Sequence, residues 1–177
     1  MKLKYLGILS VATLAFSGSA NAELLFDLYA GATVGAGAAT EFADDATHTD
    51  SAQSYGAVLG LDIPLVRFEL EYDYLNNDSA KLHMGMINLY GKMPSTVVHP
   101  YLGVGVGNVF GGDAHDLDVD SAVAYQGMLG VTFDVPVLPI KIDAEGRAIY
   151  IPNLYQVADI KPDLLQYEVR LKLRYVF

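Results

Sequence analysis

The last twelve residues, 166–177, read QYEVRLKLRYVF and alternate apolar side chains with polar or charged ones. Successive side chains of a β-strand point to opposite faces, so this alternation predicts a strand with one apolar face and one charged face. Three cations share the charged face, and buried cations need acidic partners from other strands. The stretch therefore predicts the closing strand of a sheet whose two faces meet different surroundings.

The first 22 residues have the pattern of a secretory leader. Two lysines precede an apolar run, and small residues close the stretch at Ala22. This order predicts a signal peptide over 1–22, cleaved after Ala22, and a mature domain over 23–177. The mature chain has the length of one domain and enough apolar residues to bury a sizeable surface.

The composition narrows the classes of partner. The chain has 11 Lys and Arg against 21 Asp and Glu, and the leader takes two of the basic residues with it. A chain this acidic is a poor partner for nucleic acid. It has no cysteine, which excludes disulfides and thiolate metal ligands. We predict no cofactor and no metal site.

Period-two alternation continues through the mature chain, without a helical period. The alternating segments are eight in number and cover 24–36, 51–63, 65–75, 81–93, 99–110, 121–135, 140–152 and 164–177. Their connections alternate between short turns with proline and polar loops over 37–50, 76–80, 111–120 and 153–163. This meander predicts an all-β, eight-stranded antiparallel up-and-down β-barrel with tight turns at one rim and loops at the other.

Aromatic residues on the apolar face fall at two levels, here called the girdles. Near the tight turns they are Phe26, Phe68, Phe133, Tyr175 and Phe177, and near the loops they are Tyr55, Tyr72, Tyr74, Tyr125, Tyr150 and Tyr167. The spacing of Phe133 and Tyr125 on a tilted strand gives about 20 Å of height, close to the ~25 Å apolar band of an outer-membrane barrel. We therefore predict that the strands cross a bilayer and that this face contacts lipid.

Charged side chains share the opposite face of three segments. They are Arg67, Glu69, Glu71 and Asp73, then Lys141, Asp143, Glu145 and Arg147, and finally Glu168, Arg170, Lys172 and Arg174. An eight-stranded barrel is only wide enough for side chains to fill, so we predict a lumen closed by an ion network. An approximate register puts Asp143 near Arg174 and Glu145 near Lys172, with the acids of 65–75 meeting the cations of 164–177 across the interior. Inward glycines on other segments leave room for these long side chains.

With these features the chain resembles the small eight-stranded outer-membrane barrels of Gram-negative bacteria, of the OmpA transmembrane-domain, OmpX and opacity type. The resemblance covers the mature chain by architecture, and its most specific piece is the alternation into Phe177. In that family the terminal aromatic strand is a signal for the barrel-assembly machinery. The resemblance thus implies a monomer in the bacterial outer membrane, with that machinery, membrane lipid and lipopolysaccharide as partners.

Motifs that suggest other chemistry fail in detail. The glycine-rich stretch 103–112 has neither the G-x-G-x-x-G spacing nor the Lys-Ser/Thr of a phosphate loop. Residues 116–120 begin like a calcium loop, but Ser121 and Gly127 stand where Gly and Glu are required. His48, Asp50 and Ser51 share one predicted loop and His115 another, in spacings that match no rim enzyme of the family. We predict no enzymatic activity and no catalytic residue.

The predicted role is structural or surface-interactive, with acidic loops that adhere to a host or matrix ligand. Two alternatives stay open. One is a narrow gated pore for ions or small solutes, with a gate formed by Arg67, Glu71, Arg147, Arg170 and Lys172. The other is a soluble periplasmic lipocalin-like carrier, because alternation alone does not say which face meets water.

Overall fold

The computed structural model describes residues 26–43, 46–77, 80–94, 98–114, 117–118, 121–152 and 163–177. They form nine β-strands: β1 Asp27–Ala43, β2 Ala46–Asp62, β3 Val66–Asn77, β4 Ala80–Lys92, β5 Val98–Ala114, β6 Leu117–Asp118, β7 Ala122–Asp134, β8 Ile140–Ile151 and β9 Asp163–Val176. Strand β6 has two residues, and the other eight are long. None of the described residues belongs to a helix that is long and apolar enough to span a bilayer.

The eight long strands close into a barrel. Around the ring, each is antiparallel to its two neighbours in the order β1, β2, β3, β4, β5, β7, β8, β9, and β9 pairs back with β1. The C-terminal strand β9, which contains most of the stretch 166–177, forms this closing ladder with β1 from Asp163 to Val176. The predicted eight-stranded antiparallel up-and-down barrel is confirmed.

The strands run further on the loop side than the alternation predicts. Strands β1 and β2 continue to the pair Ala43 and Ala46, so most of 37–50 is a hairpin and its prediction as a loop is wrong. Strand β5 likewise runs to Ala114, and β3 and β4 leave only residues 78–79 between them. These strand ends are rich in Thr, Ser and Gly, so they lack the apolar alternation, while a ladder needs only backbone hydrogen bonds.

One tight turn holds an unfavourable backbone conformation. The Leu138 amide donates to the Val135 carbonyl at 3.2 Å, with Pro136 and Val137 between them. Val137 has a φ of 72°, which a type II turn requires at this position and which favours glycine over a β-branched residue. Its side chain is fully exposed at the rim.

A bulge interrupts the ladder between β4 and β5. His83 pairs with Gly111 and the next residue, Met84, pairs with Val109, so Phe110 is the extra residue. Val109 is buried inside the barrel, whereas Phe110 is exposed on the outside. The bulge therefore adds an aromatic side chain to the outer wall near the loop rim.

Gly60 makes room for a tyrosine that crosses the interior. A Cβ at Gly60 would overlap the Tyr29 ring, whose hydroxyl donates to Glu69 at 2.6 Å. We expect Gly60→Val to lower the free energy of unfolding by about 1–3 kcal/mol, because the added methyl groups overpack the interior. Urea unfolding of the refolded protein in detergent micelles measures this change. Gly127→Val is the control, since a Cβ there meets no atom within 4 Å; an equal loss in both variants would contradict the packing account.

Candidate functional site

The barrel interior is the candidate functional site, because the charged faces of β3, β8 and β9 meet there. The predicted lumen residues that are buried are Arg67, Glu69, Glu71, Asp73, Asp143, Glu145, Arg147, Glu168, Arg170, Lys172 and Arg174. Lys141 differs, since it is 23% exposed at the tight-turn rim, 3.5 Å from Asp62 and 3.7 Å from Asp27.

Two arginines occupy the centre of the lumen. Arg170 contacts Glu145 on the adjacent strand and Glu71 across the barrel. Arg147 donates to Glu168 from Nε at 2.8 Å, lies 3.1 Å from Glu71 and also contacts Asp73. Glu71 therefore bridges both guanidinium groups, and the acids of β3 meet cations from β8 and β9 in one charge-assisted network.

The tight-turn half of the lumen holds two more cations of β9. Lys172 Nζ is 2.6 Å from a Glu69 oxygen, across the barrel. Arg174 forms a bidentate pair with Asp143. Its Nε donates to Oδ2 and its Nη2 donates to Oδ1, each at 2.8 Å. The register pairs Glu145 with Arg170. The predicted proximity of Glu145 to Lys172 is therefore wrong, by one step of two residues along β9. Lys172 reaches β3 instead.

Uncharged polar side chains complete the network, and the sequence interpretation missed them. Tyr90 donates to Glu69 and Tyr101 to Glu145, each at 2.9 Å, and Gln126 donates to Glu71 at 3.1 Å. The same two tyrosine rings lie 4.0 and 4.6 Å from the Arg67 guanidinium. That guanidinium has one ion pair, with Asp143 at 3.2 Å, so the rings supply much of its surroundings. Strand parity could have found both tyrosines, which share a face with inward glycines and asparagine.

Without the half-exposed rim acid Asp27, which contacts Lys141, the formal charges of the interior balance. Asp62 and Lys92 form a further ion pair at the tight-turn rim. With them, the described inward set has seven acids, Asp62, Glu69, Glu71, Asp73, Asp143, Glu145 and Glu168. It also has seven bases, Arg67, Lys92, Lys141, Arg147, Arg170, Lys172 and Arg174. The acidic excess of the chain therefore lies outside this set.

An apolar layer fills the loop-side half of the lumen. Its members are Ala39, Ala52, Leu75, Leu82, Met84, Met86, Val109, Ala122, Ala124, Ile149, Ile151 and Leu164. The sequence interpretation did not predict this layer, although Ile149 and Ile151 continue the face of Arg147 on β8. An ion that enters from the loop rim meets hydrocarbon before it meets the network, and unpaired charge is costly there.

The outer wall is apolar over most of its circumference. The predicted girdle residues lie on it, and in the register Tyr55 faces Tyr74 and Tyr125 faces Tyr150. Between the two girdles the exposed residues are aliphatic, such as Leu70, Ile87, Val104, Leu129, Val169 and Leu171. Exposed apolar surface of this extent is foreign to water-soluble monomers and marks a wall that another apolar phase covers.

Residues considered for catalysis do not assemble in the described part of the chain. Strand β2 begins at Ala46, so Asp50 and Ser51 are consecutive strand residues, which point to opposite faces. His115, like the predicted signal peptide 1–22, lies outside the described residues. Within the described ranges, no group of three or more His, Asp or Glu is arranged to hold a metal ion.

The fold has counterparts among solved structures. No protein-family model and no curated protein matches the chain. Neisserial surface protein A is 19% identical with a TM-score of 0.62, covering 85% of this chain and 97% of its own. The outer membrane enzyme PagL (12%, 0.57, 79% and 97%) and the N-terminal β-barrel domain of Pseudomonas aeruginosa OprF (11%, 0.54, 82% and 97%) are also similar. At these identities the likeness establishes the fold, and this chain is an eight-stranded barrel of the kind that small outer-membrane proteins adopt.

Proposed function

We propose that this protein is a bacterial outer-membrane barrel with a closed lumen, which serves a structural and surface-interaction role. The observation that carries the proposal is the inversion of its two faces. Hydrocarbon side chains cover the outside, while paired acidic and basic side chains fill the interior and its tight-turn rim. A water-soluble carrier barrel needs the opposite arrangement, with an apolar interior and a polar surface.

The closed lumen distinguishes this role from that of a narrow pore. The central arginines are buried and paired, so a passing ion would have to displace them from Glu71. Above them the apolar layer leaves Leu82, Met84, Ile149 and Ile151 fully buried. A polar network and an apolar layer in series support a plug more than they support a gate.

The surface role rests on the loop rim. Acidic residues are frequent in the connections there, including Asp44, Asp45, Asp116 and Asp120, which lie outside the described residues. With a neutral interior, these connections carry much of the net charge of the chain. Such a rim suits adhesion to a cationic host or matrix ligand, so we propose a binding role without enzymatic activity.

Cell fractionation and gel mobility test membrane residence. The expressed protein should sediment with the outer membrane and should migrate faster on a denaturing gel before heating than after it, since a closed barrel resists the detergent. Recovery of the protein in the osmotic-shock fluid would contradict its assignment to the outer membrane. Unchanged mobility on heating of the membrane-extracted protein would contradict a stable closed barrel.

Planar-bilayer recording tests the closed lumen. We expect the refolded protein to give no steady channels, because charge cannot cross both the network and the apolar layer. Ile149→Ala trims the apolar layer and should leave the recording silent, since the ion network remains. Steady wild-type channels whose conductance rises in Ile149→Ala, but not in the outer-wall control Val123→Ala, would favour the pore instead.

A further inference from the structure

The ion pairs of the inward set fall into two groups that share no member. One group lies at the tight-turn end of the lumen and is here called the tight-turn cluster. Its members are Asp62, Arg67, Lys92, Lys141, Asp143 and Arg174. The other group holds the remaining acids and bases of the inward set, in which acids are the majority. The lumen therefore has a basic end and an acidic middle.

Two carboxylates serve the four bases of the tight-turn cluster. Asp62 is shared by Lys92, Lys141 and Arg174, and Asp143 is shared by Arg67 and Arg174. The rim acid Asp27 offsets part of the excess through Lys141, but it is half-exposed, and water screens its charge. Positive charge therefore exceeds negative charge within the cluster.

Arg67 presents two buried donors of this cluster that lack an acceptor. Its Nη1 donates to Asp143 at 3.2 Å. In the part of the chain that the structure describes, no protein atom accepts a hydrogen bond from its Nε or Nη2, although the side chain is 0% exposed. A buried donor without an acceptor is unfavourable, so this edge of the guanidinium calls for an acceptor that the chain does not supply.

Arg174 shows what the same edge of a guanidinium binds in this lumen. Its Nε and Nη2 donate to the two carboxylate oxygens of Asp143. These two N–H groups form a planar fork that matches two oxygens of a carboxylate or another small oxyanion, and a halide fits between them. Arg67 has the same fork and has no carboxylate on it.

The surroundings of Arg67 favour a small ligand that enters from the tight-turn rim. The Tyr90 and Tyr101 rings lie 4.0 and 4.6 Å from the guanidinium carbon and leave little space beside it. Lys92 and Lys141 are 14% and 23% exposed at the rim, so an anion from that side meets two cations before it meets Arg67. From the loop rim, the apolar layer blocks the same path.

We propose that Arg67 binds a small monovalent anion at the tight-turn end of the lumen. The Nε and Nη2 groups donate to the anion, and the excess cations of the tight-turn cluster stabilise its charge. The ligand is an anion and not a water molecule, because an anion both accepts the two hydrogen bonds and offsets the positive excess. The apolar layer closes the lumen beyond the site, so the anion binds there without being conducted.

Bromide soaks of crystals of the refolded barrel test this site, since bromide replaces chloride and gives an anomalous signal. We expect an anomalous peak in contact with Nε and Nη2 of Arg67. In detergent micelles, the urea midpoint should rise and then saturate as sodium chloride replaces sodium gluconate at constant ionic strength. A ligand that binds only the folded state stabilises it, and gluconate is too large for the site.

Two substitutions separate the fork from the charge. Arg67→Lys keeps the positive charge and removes the fork, so we expect chloride binding about tenfold weaker. Arg67→Met removes both and should abolish the saturable rise. Lys81→Gln is the matched control, because Lys81 is exposed and its neighbour Leu82 is buried, which puts Lys81 on the outer face of β4. This control loses a cation outside the lumen and should bind chloride as the wild type does.

Two outcomes would overturn the inference. Wild-type crystals without a bromide peak at Arg67 would mean that water is the acceptor, and this result does not depend on any variant. An equal rise of the midpoint in the wild type and in Arg67→Met, each shown to be folded by heat-modifiable mobility, would mean that chloride acts elsewhere. Recovery of the protein in the osmotic-shock fluid would contradict the proposed function and leave this site unaffected, since the site needs only the lumen.

Discussion

The Arg170→Ala variant is expected to lose a large share of its stability against unfolding. Its guanidinium is buried and contacts Glu71 and Glu145, so removal leaves both carboxylates short of a partner in the interior. Breaking one partner of a buried ion pair costs about 3–5 kcal/mol, which is a large share of the ~5–15 kcal/mol that stabilises a typical protein. The measurement is the urea midpoint of the heat-sensitive, fast-migrating band in lipid vesicles.

Lys141→Ala is the control for this prediction. Lys141 belongs to the same charged series but lies at the rim, where water replaces the lost ion pairs and the expected cost is below about 1 kcal/mol. Arg170→Ala combined with Glu71→Gln and Glu145→Gln removes the uncompensated charges and should recover part of the stability. If Arg170→Ala and Lys141→Ala shifted the midpoint equally, the lumen network would not be the structural core of this protein.

The Val169→Arg variant is expected to be less stable in a membrane and to assemble there in lower yield. Val169 is 70% exposed on the outer wall, on β9 between the girdle residue Tyr167 and Leu171. An arginine on the lipid face costs about 2–4 kcal/mol at the bilayer midplane and about 0–1 kcal/mol at the interfaces, so about 1–3 kcal/mol is expected at Val169. The same arginine on a water-exposed wall costs almost nothing. The measurement is the free energy of unfolding from phospholipid vesicles, together with the yield of protein in the outer-membrane fraction.

Val137→Arg provides the matched control, because it makes the same change at a rim position beyond the apolar wall. Its side chain is fully exposed in the turn that follows β7, so the arginine stays in water and stability should change little. A Val169→Arg variant as stable as Val137→Arg would mean that the wall faces water. That result would favour the alternative hypothesis of a soluble periplasmic carrier.

The sequence predicts those parts of the strands whose two faces meet different surroundings. Alternation marks each strand wherever one face is apolar and the other polar, which is why β9 and the charged faces of β3 and β8 could be predicted residue by residue. The same alternation places Arg170, Arg147 and Glu71 on the charged faces of their strands. It could not give their partners, because a shift of one level in the register between strands exchanges Arg170 for Lys172 opposite Glu145.

Two features escape this reasoning for physical reasons. Beyond the girdles both faces of a strand meet water, so the ends of β1 and β2 show no alternation of apolar and polar residues. Polar residues there, such as the paired Thr40 and Thr49, are typical of loops as well as of strands. Inside the barrel, Ile149 occupies a lumen position with a side chain typical of the lipid face. Alternation gives the face of a side chain, but composition alone does not say where along the axis the polar filling ends.

The ion network has a consequence for the order in which the barrel forms. The acids of β3 have their cations 74 to 103 residues later in the chain, on β8 and β9. Arg147 pairs with Asp73 and Glu71, Arg170 with Glu71, and Lys172 with Glu69. Any intermediate that lacks the last two strands would carry those carboxylates into the bilayer without partners. Strand-by-strand insertion from β1 is therefore unfavourable, and closure has to be a concerted, late event that begins only when β9 is present.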